Sequence, residues 1–284
     1  MSEHKALHIV GFSGGIDSQA CARWVLNRIP ADQVVLINSD AGGNEHPMTT
    51  AFIAWYSANV HEVMMVTPIV ADMAGRAKGK IKELGLQPDD PLSFDLMAKI
   101  KGFFPSSRFQ FCTEHLKINP QKRVIESLWP DREVIRYVGV RRDESRRRSS
   151  ADFETWDKYF DCELHHPIAD WSKQMCFDYV QAHGEKINEL YTLGFSRVGC
   201  APCINSGKED IRAWADRSPE MIDKIREWEK RVGRTFFAPK VPGMAINWID
   251  DVVAWSKTVN GGRQMGLHVL QKRPTCESKY GLCE

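Results

Sequence analysis

No apolar run in the chain approaches the roughly 20 residues that cross a bilayer, so no membrane span is expected. Its Met-Ser-Glu-His-Lys start lacks the apolar stretch of a signal peptide, which makes a cytoplasmic location the expectation. Neither sign of charge dominates. With 38 Lys and Arg against 37 Asp and Glu, the formal net charge is +1, and any attraction to nucleic acid must be local. There is no internal repeat and no low-complexity tract, which sets aside repeat architectures. What remains is ordinary for a globular protein: 284 residues, 43% hydrophobic and 26% charged. That length suits one large domain or one domain with a substantial appendage. Eight cysteines without an export signal argue against a disulfide framework and for metal binding or redox chemistry.

The first half alternates. A β-favouring run from Ala6 to Phe12 is followed by Ala20, Cys21, Trp24, Val25 and Ile29 at helical spacing. Strand-like "QVVLINSD" (33–40) and "EVMMVTP" (62–68) flank a helical "MTTAFIAWYSANV", and "EVIRYVGV" (133–140) supplies a fourth strand. This alternation predicts an α/β protein, a parallel sheet with helices on both faces. Residues 74–105, rich in Lys, Gly and Pro, read as a helical insertion with mobile ends. "SPEMIDKIREWEKRVGR" is a further helix, with Ser218 as N-cap, Pro219 in the first turn and Met221, Ile225, Trp228 and Val232 as its apolar stripe. The division expected is a nucleotide-binding α/β domain at 1–205 and a helical, cysteine-bearing region at 206–284 packed back on it.

Directly after the first strand comes Ser13-Gly14-Gly15-Ile16-Asp17-Ser18. At a strand-to-helix turn the helix N-terminus presents unpaired N–H groups, which makes an anion site. Gly14 and Gly15 let the backbone approach a phosphate and take positive φ if required, and Ser13 and Ser18 add hydroxyls. Asp17 is a poor phosphate neighbour by charge, so orienting the loop or assisting Mg²⁺ suits it better. A plain turn with a Ser or Asp cap is the bland alternative. The six-residue string resembles the pyrophosphate loop of the N-type ATP pyrophosphatases, Ser-Gly-Gly-x-Asp-Ser. It is not a Walker A loop, because no Gly-Lys-Ser/Thr follows.

Further strings occur in order: "NSDAGGNEHPMT" with Asp40 and Glu45, "RFQFCTEHLKINP" with Arg108, Cys112 and Lys117, "VGVRRDESRRR", "HPIADWS" and "YTLGFSRVGCAPC". Together, over roughly Leu7 to Asp210, they resemble the phosphoadenosine phosphosulfate reductase family in its broad sense. That family includes adenylylsulfate reductases and the ATP pyrophosphatase subunits of DNA phosphorothioation systems. The resemblance implies an adenine nucleotide alpha hydrolase-like fold. It implies that residues 13–18 hold the nucleotide phosphates, that Asp40 sits beside the adenosine, and that Lys117, Arg141 and Arg148 neutralise phosphate or sulfate oxygens. Arg142, Arg146 and Arg147 are as well explained by a solvated helical face or by contact with a nucleic-acid backbone.

The Cys200-x-x-Cys203 pair and the later Cys276 and Cys283 provide four thiolates, enough for zinc or an iron–sulfur cluster. The resemblance favours 4Fe–4S. Two departures stand against a simple carry-over: Cys112 is followed by Thr113 where adenylylsulfate reductases have tandem cysteines, and the thioredoxin-linked Glu-Cys-Gly-x-His-like tail is missing. Cys112 is a fourth ligand, a sulfur-handling thiol or a buried structural cysteine. Arg108 and Lys117 would lower its pKa. Cys21, Cys162 and Cys176 read as structural, and His165 and His166 precede a strand-like "PIAD".

The expected function is therefore an ATP pyrophosphatase-type enzyme that adenylates an acceptor for sulfur incorporation, with Asp17, Cys112, Lys117 and Arg141 as catalytic residues. By resemblance the acceptor is a nucleic acid and the sulfur donor a cysteine desulfurase; oligomerisation is open. The alternatives are a sulfonucleotide reductase that releases sulfite and a non-catalytic nucleotide-sensing subunit.

Overall fold

In a computed structural model, residues 5–258 are described, apart from 74, 76 and 147. The sheet has six strands in the order β3-β2-β1-β4-β6-β5. They are β1 (Leu7–Gly11), β2 (Val34–Ser39), β3 (Val63–Val66), β4 (Val134–Tyr137), β5 (Glu154–Asp157) and β6 (Cys162–His165). All neighbours run parallel except β5, which is antiparallel to β6. The register aligns Val10 with Leu36 on one side and with Tyr137 on the other.

Side-chain parity decides what covers each face. From β1 and β2, Val10, Phe12, Val34 and Leu36 pack with Cys21, Val25, Phe52 and Tyr56, which belong to α1 (Ile16–Leu26) and α2 (Pro47–Asn59). Leu7, Ile9 and Ile37 point the other way and meet Ile125. A chain of short helices leads there: α3 (Lys78–Glu83), α4 (Phe94–Lys101), α5 (Phe111–Thr113) and, after a π-helical segment, α6 (Asn119–Leu128), which carries Ile125. Both faces are thus covered, as the alternation of the sequence requires. On the first face, α7 (Lys173–Ala182) adds Cys176 and Val180 against Ile16 and Ala20 of α1.

A second core joins residues 77–104 to α8 (Lys208–Arg217), α9 (Pro219–Val232) and α10 (Ile249–Ser256). Phe94 stacks on Trp228 with ring centroids 5.2 Å apart, and Met97, Ile100, Ile225, Phe236 and Val252 close around them. Burying such side chains stabilises by about 1.5–3 kcal/mol each. The presumed insertion is thus a packed layer over this part of the molecule. In α9 the expected stripe faces that core, and Gly233 ends the helix with φ +71°.

Several sequence expectations are corrected here. Ser218 stands at the start of α9 but caps nothing; its hydroxyl is 3.1 Å from His46 Nε2. His46 Nδ1 accepts the Met48 N–H, so Nε2 is the donor to Ser218. The strand near the histidines is Cys162–His165, whereas Pro167–Asp170 forms a turn. The described residues of the basic run after β4 lie in turns and not on a helical face: Arg141 and Arg148 are buried, and Arg142 pairs with Asp170.

Candidate active site

Strand order reverses direction at β1: β2 and β3 lie to one side of it, β4 and β6 to the other. Ligands of open α/β sheets collect at the carboxyl ends of strands next to such a switch point. There the structure has an open cavity lined by Gly11, Phe12, Ser13 and Ser18 at and after the end of β1, Ile37–Ser39 at the end of β2, Val138 and Gly139 after β4, and Glu45, Lys117 and Gln121.

The loop 13–18 is held by its own hydroxyls. Ser13 N–H donates to Ser18 Oγ at 3.1 Å, and Ser18 Oγ donates to the Gly15 carbonyl at 2.8 Å. Of the two glycines only Gly14 has positive φ, +77°; Gly15 is extended at φ −85°. A Cβ on Gly14 would lie 3.1 Å from Ile53 Cγ1, so space and backbone both favour glycine there. The loop is also held from outside. Ile16 N–H donates to the Tyr191 hydroxyl at 2.9 Å, and the Asn188 amide donates to the Gly14 carbonyl at 3.4 Å. Gly139 approaches so closely that a Cβ would sit 2.5 Å from the Asp17 carbonyl oxygen.

Asp17 does not line the cavity; it lies 2.8 Å from Arg141 Nε, with side chains 1% and 6% exposed. Arg141 also bonds Asp143, and Arg148 bonds Glu144, which Arg197 approaches at 3.7 Å. These arginines are therefore matched by protein carboxylates and do not line the cavity. Asp40 follows β2 and accepts the Gly43 N–H at 3.0 Å, bracing its own turn.

Lys117 belongs to the π-helical segment Glu114–Ile118 between α5 and α6, a local widening of the kind that often marks functional sites. The Ser39 hydroxyl donates to the Lys117 carbonyl at 3.1 Å, tying this segment to the end of β2. Lys117 also lines a second cavity, together with Cys112, Cys200, Cys203, Arg197 and Phe94. The Cys200–Cys203 turn is brought there by strand-like pairing of Cys200 with Glu45, and Ala201 N–H donates to the Asn44 carbonyl at 2.9 Å.

Burial works against charge in this second cavity. It pushes the Cys112 thiol up to about 12, with Cys200 and Cys203 adding to the shift and Lys117 opposing it. This corrects the expectation of an activated thiol, because Lys117 does not overcome desolvation. Cys200 is likewise raised by burial. Burial also pushes Glu45 up to about 7, against Lys117. For Lys117 burial acts downward, yet Cys200, Glu45, Cys112 and Cys203 outweigh it and leave the ammonium above its ordinary value.

Of the four cysteines named from sequence as metal ligands, Cys200 and Cys203 come together, joined by Cys112; Cys276 and Cys283 lie outside the described residues. Among the described residues no group of three His, Cys, Asp or Glu side chains is arranged to hold a metal ion. These residues alone thus do not fit a cluster, and Asp17, engaged by Arg141, does not fit Mg²⁺.

Residues 8–206 match the family model of the phosphoadenosine phosphosulfate reductase domain. The chain belongs to that family. It is 30% identical, over 98% of its own length and 97% of the other's, to an uncharacterised 37.8 kDa protein of Escherichia phage 186. An adenosine 5′-phosphosulfate reductase of Allochromatium vinosum is 29% identical over 57% of this chain and 61% of that enzyme. Among solved structures, the phosphoadenylyl-sulfate reductase of Candida auris in a phosphate complex superposes with a TM-score of 0.45 at 16% identity, covering 68% of this chain and 80% of that one. Among the described residues, no helix of this family member is long and apolar enough to cross a membrane.

Sequence reasoning passed over four residues of the site. Glu45 and Tyr191 stood inside the quoted strings without a role, and Asn38 and Gln121 went unremarked. Asn38 carried a signal, an amide at the buried end of "VVLIN". Gln121 carried none, because its place in the cavity depends on how α6 crosses β2.

Proposed function

We propose that this protein binds an adenine nucleotide in the cavity at the ends of β1, β2 and β4, with its phosphates on loop 13–18, and transfers the adenylyl group to an acceptor. The observation that carries the reading is the position of Lys117, which lines both the nucleotide cavity and the thiol cavity. In the step proposed, an acceptor oxygen forms a bond to the α-phosphorus, the bond to the bridging oxygen breaks, and pyrophosphate leaves. Lys117 and the loop N–H groups stabilise charge on the transferring group. Glu45, a carboxyl with a pKa of about 7 on the same wall, is suited to exchange the acceptor's proton. Arg141 acts through Asp17, holding the first turn of α1 in place. A sulfide-level sulfur nucleophile, arriving from the side of Cys112, Cys200 and Cys203, would then bond to the adenylated atom of the acceptor as the bond to the adenylate oxygen breaks and AMP leaves. In that role Cys276 and Cys283 are candidates to complete a ligand set, with a 4Fe–4S cluster supplying sulfur or electron chemistry and zinc as the alternative. A nucleic acid as acceptor, a cysteine desulfurase as sulfur donor and Mg²⁺ on the phosphates belong to this same proposal, as does a boundary near residue 205 between the nucleotide domain and the C-terminal helices.

The test is incubation of the pure protein with ATP labelled at the α-phosphorus. Labelled AMP or an AMP–acceptor adduct, with pyrophosphate, is expected; absence of both with every nucleic-acid acceptor tried overturns it.

A second reading is favoured by the similarity to adenosine 5′-phosphosulfate reductases. A cysteine thiolate attacks the sulfur of the phosphosulfate, the sulfur–oxygen bond breaks with AMP as leaving group, and a thiol reductant releases sulfite. It predicts an enzyme-bound sulfite adduct, detectable as a mass increase on one cysteine.

A further inference from the structure

Residues 96–113 run from α4 through the following loop into α5. They hold Lys99, Lys101, Arg108 and four phenylalanines, and no Asp or Glu. Their formal charge is +3, where the whole chain's is +1. Cations elsewhere on the surface, such as Lys80, Arg226 and Lys230, are paired with carboxylates of their own helix. This segment has no carboxylate to offer, and Asp95, just before it, is engaged by Arg231.

The rings stand among these cations. Phe104 is buried in the second core, but Phe103 is 46% exposed and Phe109 66%. Phe103 meets Phe111 edge to face with centroids 5.3 Å apart, and Lys101 Nζ lies 5.5 Å from the centroid of that same Phe111 ring. Ser106 and Phe109 exchange backbone hydrogen bonds at 3.2 and 3.1 Å, which folds a tight turn with Ser107 and Arg108 exposed at its tip. Gln110, next along the chain, lines the thiol cavity together with Cys112 and Thr113. The segment thus leads from exposed rings to the wall of that cavity.

Exposed rings between cations suit a polymer that offers flat, unpaired bases and a phosphate at each step. A duplex hides its base faces. A second copy of this chain would set like charge against like. Residues 259–284, with Arg263, Lys272, Arg273 and Lys279 against Glu277 and Glu284, bear the same sign as well.

We propose that residues 99–111 form a docking surface for single-stranded nucleic acid, with bases stacked on Phe103 and Phe109 and phosphates met by Lys99, Lys101 and Arg108. The inference rests on the nucleic-acid acceptor named above and gives that acceptor a route toward Lys117, which lines both cavities.

Fluorescence anisotropy with a labelled oligonucleotide of about 20 nucleotides, longer than a typical single-strand site, tests this on the full chain. Its arms are single-stranded DNA, single-stranded RNA and the DNA duplex of the same sequence. At least one single strand should bind more tightly than the duplex, and Phe109→Ala should weaken that binding roughly five- to a hundredfold. Lys99→Gln/Arg108→Gln should flatten the slope of log Kd against log salt by about 1.4. Lys80→Gln, at a cation paired with Glu83, is the control that changes neither. Circular-dichroism melts confirm that each variant folds. Equal binding by Phe109→Ala and wild type, a duplex bound as tightly as either strand, or no binding of either strand overturns this inference and leaves the nucleotide reading to its labelled-ATP test. So does a dimer that Phe109→Ala dissociates, which would assign the face to a second copy. Failure of the labelled-ATP test, with strand binding still lost in these variants, would remove the adenylation chemistry and keep the surface.

Discussion

Arg141 Nε sits 2.8 Å from Asp17 Oδ1, and neither side chain reaches solvent to any extent. One comes from the turn after β4 and the other from the first turn of α1, so the pair fastens loop 13–18 to the next strand of the sheet. Removing one member leaves the other's charge buried. Asp17→Ala is expected to cost about 3 kcal/mol in urea unfolding. The double variant Asp17→Ala/Arg141→Met should lose clearly less than the sum of the single losses. Additive losses would show that the two do not act as a pair.

Gly139 tests the closeness of that fastening. A Cβ there meets the Asp17 carbonyl at 2.5 Å, and backbone cannot yield as a flexible side chain can. Gly139→Ala should displace the loop and weaken ATP binding at least tenfold, and Gly14→Ala should cost about 1 kcal/mol through its positive φ and the contact with Ile53. Gly79, on α3 with open space around it, is the control: Gly79→Ala should leave binding unchanged and stabilise by about 0.5–1 kcal/mol.

Glu229 ties together the helices beyond the sheet. Its carboxyl oxygens accept the Phe236 N–H at 2.7 Å and the Ile249 N–H at 2.9 Å, and the residue is 2% exposed. Glu229→Ala strands two backbone donors, and a loss of about 2–4 kcal/mol is expected. Hydrogen exchange at Phe236 and Ile249 should accelerate while the β1–β2 pairing stays protected.

His166 supplies a pH dependence. Burial holds its pKa below the ordinary 6.5, and Arg148 adds to this, while the hydrogen bond to the Asp152 carbonyl opposes it. The folded protein therefore binds fewer protons at this site than the unfolded chain. Its contribution to stability is present above pH 6.5 and is lost as pH falls through the depressed value. Chemical denaturation at pH 7.5 and 5.5 should show a smaller pH-dependent loss for His166→Asn than for the wild type. An NMR midpoint for His166 above 6.5 would contradict the sign.

Much of this architecture was legible in the sequence, for identifiable reasons. The first four strands are apolar runs that end in polar turns, and covering both faces follows from residues such as Leu7, Ile9, Val10 and Phe12 being apolar on both parities. The β5–β6 hairpin was not legible, because "ETWD" and "CELH" are short and charged; β5 is the edge strand and is largely exposed, and β6 lies between it and β4. Loop 13–18 and its place between β1 and α1 were legible from its glycines and hydroxyls. The electrostatics did not. Counting charges near Cys112 suggested a thiolate, but desolvation outweighs one ammonium, and that burial shows only in the folded chain. Arg141 and Arg148 likewise read as phosphate ligands until Asp17 and Glu144 were seen beside them.

The account depends most on where a nucleotide sits. A crystal structure of the protein with ATP or a non-hydrolysable analogue should place phosphate oxygens within about 3 Å of the N–H and hydroxyl groups of residues 13–18. The α-phosphate should face Lys117. Phosphates bound anywhere else on the molecule, with that loop empty, would contradict it.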